Sequence, residues 1–138
     1  MRLPIVIFIC AFALAACEGP DTELDPHELK RAQHGFTALS AEAGLLAEQL
    51  ASHGVPSRFA SVHQQALGEE SLKLSRQLAK PVPPGLRTAH DKLASLNARF
   101  QIEVARIAQA SSNTSDLERL RESFRDMKAQ AAALETPA

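Results

Sequence analysis

Residues 25–50, DPHELKRAQHGFTALSAEAGLLAEQL, decide the fold class. Leu29, Ala32, Phe36, Leu39, Ala43, Leu46 and Leu50 step 3,4,3,4,3,4, which lays one apolar seam along a single face of a helix. Asp25 is a good N-cap, Pro26 suits the first helical position, and Glu28 completes a capping box three residues after the cap. His53-Gly54-Val55-Pro56 ends the pattern, with Gly54 expected as the C-cap and Pro56 opening the next element.

Outward from this helix the same period recurs. A second helix is expected from about Pro56 to Ala79, with Phe59, Ala60, Val62, Ala66, Leu67, Leu74 and Leu78 on a broad arc interrupted by His63 and Glu70. Lys80-Pro81-Val82-Pro83-Pro84 cannot continue a helix, because each proline lacks an N–H and restricts the residue before it. A third helix starts near Pro84 and carries Leu86, Ala89, Leu93, Leu96, Phe100, Val104 and Ile107 on one face. After the turn Ser111–Thr114, Ser115 and Glu118 read as a capping box, and Leu117, Leu120, Phe124, Met127, Ala131 and Leu134 form the fourth seam. Four amphipathic helices with short connections predict an all-α, up-down-up-down antiparallel four-helix bundle over residues 25–135. Each helix brings one phenylalanine to its seam. Phe100 and Phe124 fall at the same height and should touch.

The chain begins differently. Met1 and Arg2 precede an apolar run from Leu3 to Leu14, then the small residues Ala15 and Ala16, then Cys17 and the polar Glu18-Gly19-Pro20-Asp21. That is the layout of a secretory signal peptide, too short for the ~20 residues of a spanning helix. Leu14-Ala15-Ala16-Cys17 resembles the lipobox of bacterial lipoproteins. The resemblance implies cleavage before Cys17 by signal peptidase II and lipidation of its thiol. Residues 1–16 would then be the signal peptide and 17–24 a lipidated tether. Several acyl chains hold a protein on a bilayer where one would not. Glu18 stands where the family's inner-membrane retention signal is most often aspartate, which implies the periplasmic face of the outer membrane, with the inner membrane as the other address.

Composition narrows the function classes. Removing residues 1–16 from the 138 leaves 122, the size of one domain, and takes Arg2 with it, so the formal charge moves from −1 to −2. A basic face for nucleic acid is not expected from such a balance. Cys10 leaves with the leader and Cys17 is the anchor, so the fold is expected to stand without disulfides. The absence of Trp and Tyr weakens base stacking and aromatic cages as functions. Signatures of di-iron, haem, zinc-protease and hydrolase sites are missing, and no cofactor or enzymatic activity is expected.

What remains is a polar inset. His63 and Glu70 lie two turns apart on the second helix, and Asn97 and Glu103 flank Phe100 on the third. In antiparallel helices His63 falls near the height of Glu103, and Glu70 near Asn97. A His63–Glu103 hydrogen bond fixing helix register is the favoured account, because a buried polar group needs a partner. A metal site at His63, Glu70 and Glu103 is the weak alternative, with a small-ligand site in the bundle beside it. His27 and His34 are expected in solvent. The sequence therefore points to a non-catalytic accessory protein, held at the membrane through the lipid on Cys17 and binding an envelope protein partner. Small helical outer-membrane lipoproteins that escort secretion-channel subunits, the pilotins, are similar in size, anchor and class.

Overall fold

The computed structural model describes residues 22–136. Four helices pack together: α1 (Pro26–Ala51), α2 (Ser57–Leu78), α3 (Arg87–Ala110), entered through a 3₁₀ turn at Pro84–Leu86, and α4 (Thr114–Ala132). Each packs against its two neighbours in the ring α1–α2–α3–α4, with the closest association between α1 and α4, which closes the bundle. The leader and Cys17 lie outside the described residues.

Helix α1 starts as its sequence dictates. Asp25 Oδ1 accepts the Glu28 N–H at 2.7 Å, and Glu28 Oε2 accepts the Asp25 N–H at 3.3 Å. Its far end differs from expectation. The left-handed residue is His53, with φ 56°, while Gly54 keeps negative φ and donates its N–H to Gln49 O at 2.8 Å. Ser52 caps the helix one residue earlier, so the reversal falls before the glycine. At α4 the cap is Asn113, whose side chain accepts the Asp116 N–H, and Ser115 lies inside the helix. Asn and Ser cap equally well, and the earlier of the two acts here.

The core is an aromatic column. Phe36, Phe100 and Phe124 are fully buried, with ring centroids 5.7 Å apart for Phe36–Phe100 and 5.6 Å for Phe100–Phe124, both edge-to-face. The expected Phe100–Phe124 contact is formed. Phe59 is not part of this column and is 52% exposed, and Val62 is 66% exposed. Helix α2 carries two apolar stripes in its first half. Ala60, Leu67, Leu74 and Leu78 win the interior, because only that stripe continues apolar to the end of the helix.

Leu24, which the sequence reading placed with the tether, belongs to the folded body. Its side chain is buried and its N–H donates to Pro81 O at 2.8 Å. The chain thus enters the bundle pinned to the α2–α3 connection. Beside it Lys80 Nζ reaches Glu28 Oε1 at 2.8 Å. The hydrogen bond from Lys80, and then that from the Asp25 N–H, hold the Glu28 carboxyl below its ordinary pKa. A carboxyl with a lowered folded pKa adds stability above the usual glutamate range, and this is lost as pH falls through the lowered value. Lys80→Met should flatten the fall in urea stability between about pH 5 and 3. An unchanged slope in that variant rejects the pair as its source.

Candidate functional site

The polar inset exists, with a different membership from the expected one. Ser71 and Asn97, 0% and 2% exposed, meet between α2 and α3. Ser71 Oγ donates to Asn97 Oδ1 at 2.7 Å, and Asn97 Nδ2 donates to Ser71 O at 3.1 Å and Ser75 Oγ at 2.9 Å. Gln101 Nε2 donates to the same Ser75 Oγ at 2.9 Å. Every polar atom of the Asn97 amide is bonded, as burial requires.

The expected His63–Glu103 and Glu70–Asn97 pairs are not formed. His63 Nε2 lies 3.1 Å from Glu42 Oε1 on α1, and its ring stacks on Phe59 with centroids 5.7 Å apart. Glu70 is exposed and bonds Lys73 on its own helix. Glu103 pairs with Arg106 at 3.5 Å and lines the cleft toward α4. Helical geometry gives the reason. Asn97 and Glu103 stand on opposite sides of Phe100, so one faces α2 and the other α4. His63 and Glu70 do share a side of α2, but that side turns toward α1. Among the described residues no three His, Cys, Asp or Glu side chains gather closely enough to hold a metal ion.

The space beside Glu70 is a groove of about 770 Å³ between α1 and α2, open to solvent. Ala32, Gly35, Ala38, Leu39 and Leu74 form its floor, and the Glu28–Lys80 and Glu70–Lys73 ion pairs stand on its rims. Small residues on α1 make this opening. Gly35 has nothing within 4 Å of where a Cβ would stand. Other apolar groups are exposed singly: Leu45 on α1, Leu72 on α2 and Ile102 on α3.

The signal for the true inset was present in the period. Ser71 continues the interior stripe Leu67, Ser71, Leu74, Leu78 in steps of 4,3,4, so its burial follows from position and not from residue type. His90 Nε2 bonds the Leu78 carbonyl at 2.7 Å, closing the end of α2 against α3. No protein-family model matches this chain, and the searches of curated proteins and of solved structures return no match.

Proposed function

We propose that this chain is a lipid-anchored lipoprotein of the bacterial envelope, a non-catalytic accessory protein that binds or positions a periplasmic partner. The observation that carries the reading is the apolar leader ending in Leu14-Ala15-Ala16-Cys17. The pinned entry at Leu24 gives it a geometry. Only residues 18–23 separate the lipidated cysteine from the folded body, a reach of about 20 Å when extended. The end built from the start of α1 and the α2–α3 connection is then held close to the bilayer. The α1–α2 and α3–α4 turns face outward, toward the periplasm from the outer membrane. Phe59 and Val62 are exposed at that outer end.

Cys17→Ser tests the anchor. The variant should accumulate as an unprocessed precursor without acyl label, read by metabolic labelling with palmitate and by mobility. Normal processing together with undiminished acylation rejects the reading. Crosslinking the lipidated protein in membranes and identifying what co-purifies then names the partner.

A second reading, a small-ligand-binding bundle, is favoured by the groove between α1 and α2. Its metal version at His63, Glu70 and Glu103 is not carried forward, because those three side chains bond Glu42, Lys73 and Arg106 in separate places.

A further inference from the structure

A groove of about 470 Å³ runs between α2 and α3, and none of its lining side chains is charged. Gln65, Gly68 and Leu72 line it from α2, and Gln101, Ala105 and Ala108 from α3. By contrast, six charged side chains line the α1–α2 groove and seven line the α3–α4 groove. Loss of charge from the middle of a surface is a mark of interface cores. Gly68 adds a second sign. Glycine weakens a helix interior relative to alanine, and a Cβ at position 68 would meet nothing within 4 Å, so packing inside this chain does not call for glycine there. A helix laid over the face would use the room. Leu72 and Ile102, 50% and 57% exposed, each stand alone on the outer side of their own helix.

We propose that this face pairs with the same face of a second copy of the chain, about a two-fold axis parallel to the helices. Such an axis lays α2 of each copy along α3 of the other, antiparallel and at the level the two helices share within one chain. That level is set by the Ser71–Asn97, Ser75–Gln101 and Leu78–His90 hydrogen bonds, which put Ile102 level with the turn Gly68–Leu72. Across the axis Ile102 then meets the partner's Gln65, Gly68, Glu69 and Leu72, the i, i+3, i+4, i+7 set that forms a hole for a knob. The low wall at Gly68 admits its branched side chain. Leu72 in turn falls on the partner's Ala98 and Gln101. Two apolar groups isolated on one copy thus find cover on the other. Charge agrees with this arrangement. Arg76 and Asp91 are exposed on the outer sides of α2 and α3, and across the axis they come within about one turn of each other, twice by symmetry. Asp91 already takes a bond from His90 Nδ1 at 2.9 Å, which leaves its second oxygen. A face about 25 Å long and 20 Å wide buries roughly 1,000 Å² over both copies, the lower limit for a specific interface, so the association is weak and depends on concentration.

The test is crosslinking with a short, permeant bis-maleimide in intact cells that express two differently tagged full-length chains, Gln65→Cys in one and Ile102→Cys in the other. Intact cells make the result independent of the anchor, and the unaltered chain gives the background from its own cysteines. The mixed 65–102 product should exceed the 65–65 and 102–102 products by about fivefold, because unlike helices are neighbours across this axis and like helices lie diagonally. Arg76→Glu should lower the mixed product about three- to tenfold, since two exposed ion pairs become repulsions. Asp91→Arg should do the same, and both changes in one chain should restore the product. All four positions are exposed, and thermal unfolding checks that the variants stay folded. No product above background, equal yields of like and mixed products, adducts to other proteins in place of a second copy, or charge reversals that fail to rescue each other overturn the proposal.

Discussion

Phe100→Ala is expected to cost about 3–5 kcal/mol, the range for emptying a fully enclosed aromatic position. Phe100 is the middle ring of the column, edge-on to Phe36 and to Phe124, so its removal breaks both aromatic contacts and leaves a void bounded by three helices. Neighbouring side chains cannot collapse into that void easily, because α1 and α4 already lie close at Gly44. Against a total stability of about 5–15 kcal/mol for a domain of this kind, the variant should be marginal at best. Phe59→Ala supplies the contrast within one residue type. Phe59 is half exposed on α2, and its replacement should stay within about 0.5 kcal/mol, as surface substitutions do. Urea unfolding of the two variants beside the unaltered protein makes the comparison. Equal losses at the two positions reject the column as the centre of the core.

That contrast also shows where the sequence was legible. In α1, α3 and α4 a single apolar stripe runs the length of the helix, and period and buried face agree, although α3 starts without a side-chain cap and the caps at the end of α1 and the start of α4 fall on other residues than expected. Helix α2 offers two stripes in its first half, Phe59–Val62–Ala66 and Ala60–Leu67, and only the second continues apolar through Leu74 and Leu78, so the buried face is decided by the far half of the helix. The polar inset was half legible for a related reason. Asn97 reads from the sequence as an interior polar group, but a helix shows which side of the seam a residue takes only when its neighbours are known. Glu103 was therefore assigned to α2 when it faces α4. Serine as a residue type gives no sign of burial, but the spacing of Leu67, Leu74 and Leu78 implies that position 71 points inward. Connections followed the same logic. The proline stretch was a firm stop, but its role in receiving the Leu24 N–H depends on a contact 57 residues away along the chain.

The inset is where the second large effect should appear. Asn97→Leu keeps roughly the volume and removes every hydrogen bond that α3 makes to Ser71. A loss of about 1–3 kcal/mol is expected, the cost of leaving a buried polar group without its partner. Ser71→Ala alone should cost less, because Asn97 keeps Ser75 Oγ and the Ser71 carbonyl as acceptors. With both changes the interface is apolar at this level, and the total loss should fall below the sum of the single losses by about 0.5–1.5 kcal/mol. Buried polar groups often tolerate joint replacement of this kind while contributing specificity of pairing. Asn97 bonds at two heights on α2, to Ser71 and to Ser75, and Gln101 bonds Ser75 from the next turn of α3. A slide of α2 by one turn would break this ladder while leaving leucines opposite leucines. The double variant should therefore lose less stability than the two single losses together, yet exchange its α2 and α3 amide hydrogens faster than its remaining global stability predicts. Chemical denaturation of the four proteins, with hydrogen exchange on the double variant, reads both effects. Additive losses, or unchanged exchange across α2 and α3, would show that the Ser71–Asn97 contact fills space without setting register.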